Sequence, residues 1–278
     1  MAVLTASDMS QAREQAIAAA AAALQKAWVS GQPCAPVRHL LPADDVAVAY
    51  AVQEVRTARL VAEGRRVIGR KIGLTSRVVQ RQLGVDQPDY GMLFDDMDAP
   101  LGAPIDYRRL HQPKVEAEVA FILGRDLDDA RLTSADVLAA VDYAVAAIEI
   151  VGSRIQQWDI KLVDTIADNA SSGMFVLGHE LRRLTQCDVV NATMRMTRGA
   201  DVVSTGNGAA CMGSPLSAVL WLAKTAASLG KPLRSGDVVL AGALGPMVGV
   251  KPGDEFEARI DGLGSVKATF GLEESGDA

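Results

Sequence analysis

The most constraining stretch of this chain is VEAEVAFIL at residues 115–123. Val115, Ala117, Val119 and Phe121 alternate with Glu116, Glu118 and Ala120, the period of two that a β-strand imposes. A strand puts both carboxylates on one face, about 7 Å apart at Cα. Like charges so placed repel unless water, a cation or a proton separates them. Glu149, inside the apolar run VAAIEIVG, also needs a compensating partner. Three carboxylates with open water positions suit Mg²⁺ or Mn²⁺, which prefer hard oxygen ligands. Arg154 offers a different solution, a structural ion pair. A solvated strand edge with a separate surface Glu is the blandest reading, and spacing alone leaves all three open.

The flanking sequence predicts mixed secondary structure. The Ala-rich stretch from about Ser10 to Trp28 reads as a helix with Ile17, Leu24 and Trp28 on one broad face. A second helix begins near Asp44 or Asp45 and closes at Gly64. These two form an N-terminal helical cap over residues 1–65, ahead of a catalytic part at 66–271. The tail 272–278 reads as frayed. Val67 opens a short strand-like run, and Ser76 is positioned to cap a helix through Gln82. GVDQPDYGMLFDDM is turn-rich and reads as a loop, whether at an active site or on the surface. Ser134 caps a helix expected from Ala135 through about Ile148, which returns Glu149 beside the acidic strand. Further strands are expected at Met174–Leu177, Val189–Arg198, Val238–Ala241, Glu255–Ile260 and around Val266–Phe270, with an amphipathic helix from Pro215 to Leu229.

Composition removes several function classes. With 278 residues, 49% of them hydrophobic and 22% charged, the chain has material for a buried core and is not globally disordered. The formal charge is -6, and no basic block offsets it, so nucleic acid is not an expected partner. No uncharged apolar stretch is long enough to span a membrane, and the N-terminus lacks the basic leader of a signal peptide. Cys34, Cys187 and Cys211 have neither disulfide-framework nor zinc-site spacing. Reduced thiols in a cytoplasmic protein are the simple reading.

Other residues carry weaker signals. Lys71 sits between Gly69 and Gly73 in GRKIG, where it is suited to bind a carboxylate or donate a proton. A lone Lys is more often solvent-exposed. Asp89 in PDYG either accepts a proton, holds Lys71 or forms an Asx-turn. DTIADNASSG, with Asp168 to Ser172, could orient substrate but lacks the GxSxG spacing of a serine-hydrolase elbow. GNG at 206–208 reads as a turn before the Pro215 helix. GALGPMV offers amides near Gly242 and Gly245 and an apolar wall suited to a short carbon chain. His111 reads as structural and Cys211 as a small buried hydrophobe.

Taken in order, GRKIGLTS, QLGVDQPDYGMLFDDM, PKVEAEVAFIL, AIEIVGSRIQQWDI, LVDTIADNASSGMFVLG, GSPLSAVLWLAKTAASLG and GDVVLAGALGPMVGV resemble bacterial 2-hydroxypenta-2,4-dienoate hydratases. These belong to the hydratase/decarboxylase branch of the fumarylacetoacetate hydrolase superfamily, and the resemblance covers roughly residues 40–271. It implies an α+β fold, a mixed β-sheet roll with peripheral helices and a helical N-terminal part. It implies Mg²⁺ or Mn²⁺ on Glu116, Glu118 and Glu149, with Lys71 and Asp89 as catalytic residues. Leu244, Gly245, Pro246, Met247 and Val248 are the expected substrate wall. The implied reaction is hydration of 2-hydroxypenta-2,4-dienoate in the breakdown of aromatic compounds after ring cleavage. A homo-oligomer and contact with neighbouring pathway enzymes are the implied partners. The rivals are 2-oxo-3-hexenedioate decarboxylase, a hydratase for a longer dicarboxylate, a more distant C–C hydrolase and a non-catalytic assembly subunit.

Overall fold

The computed structural model describes residues 6–43, 45–76, 80, 85 and 87–272. The helices are α1 (Ala6–Ser30), α2 (Val46–Ala62), α3 (Ser134–Ala140), α4 (Leu162–Ala167) and α5 (Pro215–Ser228). The strands are β1 (Val67–Gly73), β2 (Asp89–Phe94), β3 (Lys114–Leu123), β4 (Val141–Val151), β5 (Ser172–Leu177) and β6 (Thr193–Arg198). They continue with β7 (Asp201–Asn207), β8 (Val238–Ala243), β9 (Val248–Gly249), β10 (Glu255–Ile260) and β11 (Gly264–Thr269). Among the described residues these strands make two sheets. The larger runs β2-β1-β8-β3-β4-β5, with β9 also pairing β3, and the smaller runs β11-β10-β6-β7. The pairing of β1 with β8 is parallel and every other strand pairing is antiparallel. The expected α+β roll is the observed one.

The alternation in β3 explains its place at the centre. Val115, Ala117, Val119 and Phe121 are buried and join one large apolar core with residues of β4, β8, β10 and β11. Each large apolar side chain so placed contributes about 1.5–3 kcal/mol. The smaller sheet covers the larger through β10 and β11, which pack on β4, while α5 packs on β8 and α3. A second cluster is peripheral. Ala20 and Leu24 of α1 and Val48, Ala49 and Val52 of α2 meet Ile155, Val163, Ile166 and Ala167. Asp45 caps α2 by accepting from the Val48 N–H at 3.0 Å. Within α5, Val219, Ala223 and Ala226 are buried as the periodicity predicts, together with Ala218 and Leu222.

Three sequence expectations are corrected. The helix after Ser134 ends at Ala140, and Glu149 lies on the eleven-residue strand β4. Val141, Val145, Ile148, Ile150 and Val151 are β-branched, and pairing along β3 from Lys114 to Leu123 outweighs the local helical bias of the alanines. The expected loop around Asp89 instead contains buried β2, antiparallel to β1. The expected turn at Gly206–Gly208 begins inside β7, whose pairing with β6 runs to Asn207. The helix expected from Ser76 to Gln82 falls mainly on residues outside those described, and so does the tail beyond Leu272. No described helix is long and apolar enough to cross a membrane.

Candidate active site

The antiparallel register of β3 and β4 sets Glu149 directly opposite Glu116, and Glu118 opposite Ala147. Cross-strand partners on one sheet face have neighbouring side chains, so Glu116, Glu118 and Glu149 converge. One carboxylate oxygen from each lies within 4.8 Å of the others. Lys71 reaches this group from β1, with Nζ 3.2 Å from Glu149 Oε1. Asp89 on β2 pairs with Gly73, two residues beyond Lys71. A Cβ at Gly73 would sit 2.2 Å from Asp89 Oδ1 and 3.6 Å from Lys71 Nζ. Glycine there makes room for carboxylate and ammonium to approach. The Gly242 N–H of β8 donates to Glu118 Oε2 at 2.8 Å.

The charge balance is unfinished. Asp89, Glu116, Glu118 and Glu149 all act on Lys71, and Lys114 adds a weaker positive charge at Glu116, which still leaves the carboxyls in excess. Burial opposes the Lys71 charge, but Glu149 and Asp89 outweigh it and hold the ammonium above its usual pKa. Burial, then the charge of Glu149, pushes Glu116 up to about 7. Glu118 is raised well above its usual value by burial, then by Glu149 and Glu116. Burial also raises Glu149 and Asp89, and Lys71 opposes it in both. Glu118 Oε1 and Glu149 Oε2 are buried without a hydrogen-bond donor among the described residues. Glu149 Oε1 meets the Lys71 ammonium, and Asp89 has the Thr165 hydroxyl and the Gly73 N–H near its otherwise unmatched oxygens.

That arrangement fits a hard divalent cation. Three carboxylate oxygens within 4.8 Å of one another need only small side-chain adjustments to share one ion with bonds of about 2 Å. Glu118 Oε1 and Glu149 Oε2 keep lone pairs that no donor occupies, and a dication offsets the excess negative charge.

A cavity of about 620 Å³ opens beside the cluster, with Glu116 on its wall. Leu244, Gly245, Pro246 and Met247 line it as a group, together with Thr75, Ser76 and Asn207. Val248 is half-buried and pairs with Val115 through β9. Thr75 and Thr205 of the lining were not singled out in the sequence, and Ser76 and Asn207 were read only as a helix cap and a turn residue. The GNG motif was the available signal, because Gly206 packs where a Cβ would lie 1.7 Å from the Leu244 carbonyl oxygen.

Other candidates take structural positions. Arg154 pairs with Asp168, not with the glutamates. His111 stacks on Trp28 at 5.1 Å and its Nε2 lies 3.2 Å from the Trp28 carbonyl oxygen. Cys211 is fully buried, donates to the Ala241 carbonyl oxygen at 2.8 Å, and is pushed by burial to about 12.

The Asp168–Ser172 segment supports the edge of the site. Asn169 accepts from the Met92 N–H at 2.7 Å and donates to the Met92 carbonyl oxygen at 2.9 Å. Its side chain thus serves β2 as a substitute strand. Asn169, Ala170 and Ser171 are all left-handed, with φ of 56°, 51° and 54°. Such backbone costs about 1–3 kcal/mol per residue and persists only where surrounding contacts enforce it. Gly91 makes the approach possible, since a Cβ there would lie 2.2 Å from the Asn169 carbonyl oxygen.

Comparison with known proteins agrees with this geometry. The chain is 58% identical over 264 residues to the TodF product hydratase of Pseudomonas putida, covering 95% of this chain and 98% of that relative. It is 57% identical over 262 residues to 2-keto-4-pentenoate hydratase 1 of Dechloromonas aromatica, covering 94% and 100%. A structure of 4-oxalocrotonate decarboxylase from Pseudomonas putida G7, complexed with magnesium and adipate, matches with a TM-score of 0.88 at 34% identity. The match covers 97% of this chain and 100% of that one. The model of the fumarylacetoacetate hydrolase C-terminal family matches residues 68–271, the span that carries both sheets and every acidic residue of the cluster. The chain belongs to the fumarylacetoacetate hydrolase family.

Proposed function

We propose that this protein catalyses the metal-dependent addition of water to 2-hydroxypenta-2,4-dienoate, giving 4-hydroxy-2-oxopentanoate. The observation that carries this reading is the buried carboxylates of Glu118 and Glu149, whose oxygens find no donor beyond Lys71 and the Gly242 N–H, next to a cavity whose lining is uncharged apart from Glu116. Glu116, Glu118 and Glu149 would hold the cation, with Mg²⁺ or Mn²⁺ as the best match to an all-carboxylate set. When bound, the cation supplies Lewis-acid polarisation of the substrate's C1 carboxylate and C2 oxygen.

The chain's own groups supply the proton transfers. Ketonisation requires the C2 hydroxyl to lose a proton and C5 to gain one, giving the 2-oxo-3-enoate. Water then adds at C4, the conjugated position, and C3 takes a proton. Lys71, kept as an ammonium by its carboxylate neighbours, is the proton carrier closest to the glutamates. Asp89, buried beside Lys71, orients the incoming water and exchanges its proton. Leu244, Gly245, Pro246 and Met247 line the cavity and confine the short carbon chain, while Val248, expected beside them, is held in β9 against Val115. With no cation in this segment, a second substrate carboxylate would be left unpaired against it.

The same reading treats residues 1–65 as a helical cap, 66–271 as the catalytic roll and 272–278 as a tail. It also takes the protein to be a cytoplasmic homo-oligomer that hands its product to neighbouring enzymes of aromatic-compound breakdown. Incubation of the purified protein with freshly made 2-hydroxypenta-2,4-dienoate, with and without Mg²⁺ or Mn²⁺, tests the activity. Metal-dependent appearance of 4-hydroxy-2-oxopentanoate by NMR is expected. Carbon dioxide release from 2-oxo-3-hexenedioate, without hydration of the five-carbon dienoate, would assign a decarboxylase instead.

A further inference from the structure

Thr165 of α4 is a helical threonine whose hydroxyl is not spent on its own helix. The other two threonines of the described helices bond back one turn, Thr57 to the Gln53 carbonyl oxygen at 3.1 Å and Thr225 to the Trp221 carbonyl oxygen at 2.9 Å, a common habit of helical threonines. Thr165 Oγ1 lies instead 3.2 Å from Ser171 Oγ and beside the Asp89 carboxylate. Both hydroxyl residues are buried. Ser171 comes from the left-handed run at the edge of the site, with φ of 54°, and its carbonyl oxygen accepts from the Gly152 N–H at 2.8 Å. Gln53 of α2 fixes the frame. Its Nε2 donates to the Tyr90 and Ile166 carbonyl oxygens, each at 3.0 Å, and these residues directly follow Asp89 and Thr165. One buried amide thereby sets the spacing between the strand that carries the carboxylate and the helix that carries the hydroxyl.

We infer that Thr165 is a positioning residue for the hydration proposed above, on which this role rests: its hydroxyl donates to the Asp89 carboxylate and holds it toward Lys71. An ionised carboxylate only accepts. Thr165 therefore points its one hydrogen at Asp89, and Ser171 donates to Thr165. Ser171 in this way sets the direction of the chain Ser171–Thr165–Asp89. Gly73, which also lines the active-site cavity, leaves the space in which Asp89 Oδ1 and Lys71 Nζ approach. Hydrogen bonds to an ionised acceptor are among the stronger ones. A bond that fixes a reacting group, and does not touch the substrate, acts on turnover more than on substrate binding.

The test compares steady-state hydration of 2-hydroxypenta-2,4-dienoate by the full-length protein at saturating Mn²⁺, with Mn²⁺ affinity measured by calorimetry. Thr165→Val keeps the shape and removes the hydroxyl. Its kcat should fall roughly 10–100-fold, with KM and Mn²⁺ affinity within about twofold of wild type. Thr165→Ser restores the hydroxyl and should recover kcat to within about threefold. In an Asp89→Ala background, Thr165→Val should cost nothing further, because no carboxylate is left to position. A Thr165→Ser as slow as Thr165→Val, or losses that multiply on Asp89→Ala, would overturn the role. So would a fall in Mn²⁺ affinity that matches the fall in kcat, since the acidic cluster and not Asp89 would then have moved. If Thr165→Val does not fold, Ser171→Ala decides. Its kcat should drop severalfold with Asp89 present and not at all on Asp89→Ala, and an unchanged kcat overturns the role. A wild type that does not hydrate the dienoate overturns the reaction and the role with it, whereas an active wild type matched by Thr165→Val overturns the role alone.

Discussion

Two buried charged clusters in this molecule solve the same electrostatic problem in opposite ways. Around Arg154, the Nε and the main-chain N–H both donate to Asp168, Nη1 donates to the Ser172 carbonyl oxygen at 3.0 Å, and Nη2 to the Asp168 carbonyl oxygen at 2.7 Å. Around Glu118 and Glu149, two carboxylate oxygens have no donor among the described residues and a third meets only the Lys71 ammonium. The first cluster completes its own bonding and needs nothing from outside. The second is stable as a set of charges only with a ligand. A saturated ion pair marks architecture, and an unsaturated one marks a place built for something the chain does not encode.

The sharpest way to break this contrast is to remove one oxygen donor. Glu149→Gln should lower kcat/KM by roughly 10³-fold or more, since the polarising ion is worth several kcal/mol. Its metal-free Tm should change little, because the repulsion lost against Glu116 and Glu118 is set against the lost ion pair with Lys71. Substantial activity without bound metal, measured by kinetics and calorimetry, would remove the acidic cluster from the reaction. Asp168→Ala should behave in reverse. It strands buried Arg154 and should cost about 3–5 kcal/mol in denaturant unfolding. An unchanged midpoint would show that the two clusters are not different in kind.

Lys71→Met should lower kcat by about 10²–10⁴-fold while metal still binds, which separates proton transfer from ion binding. The pH dependence sharpens the comparison further. Glu116 rises from its ordinary 4.5 to about 7 in the fold, so the folded state holds the proton more tightly than the unfolded chain. Its contribution to stability is full below about 4.5 and is lost as pH rises through about 7. Metal-free protein should therefore lose Tm across that window, and added Mg²⁺ or Mn²⁺ should diminish the loss as metal affinity grows with deprotonation. A metal-free Tm that climbs across the same range would contradict it. The smallest effect is expected at the cavity wall. Met247→Lys should shift relative kcat/KM toward a longer dicarboxylate by about tenfold, the worth of one partly solvated charge pair.

Legibility in the sequence followed locality. β3 was readable because its alternation is contained in nine residues, and its two glutamates had to share a face. β4 was not. The Ala-rich VDYAVAAIEIV follows a helix start, capped by Thr133 and not by the expected Ser134, and satisfies local helix rules; only β3 on one side and β5 on the other make it a strand. β2 was hidden by Pro88 and Gly91, which mark turns elsewhere, whereas here Gly91 admits the Asn169 backbone. Lys71 and Asp89 carried no spacing signal of their own, and family resemblance supplied their roles. The saturation of Arg154 by Asp168 had no sequence signature, since it depends on what the finished fold brings near.

The parallel seam between β1 and β8 has a consequence for how the protein comes into being. β1 carries Lys71, and its link to the rest of the large sheet is its register with Val238, Val239 and Leu240. During synthesis, β3 and β4 can pair as soon as both leave the ribosome. Lys71 and its edge partner β2 must wait for almost the entire remaining chain before β8 provides their seat. Contacts of such long sequence separation form slowly, and an unpaired strand edge invites association with other chains in the interval. The reactive centre is therefore among the last parts of the molecule to be completed, and a nascent chain stalled before residue 238 would carry glutamates already aligned and no lysine to meet them.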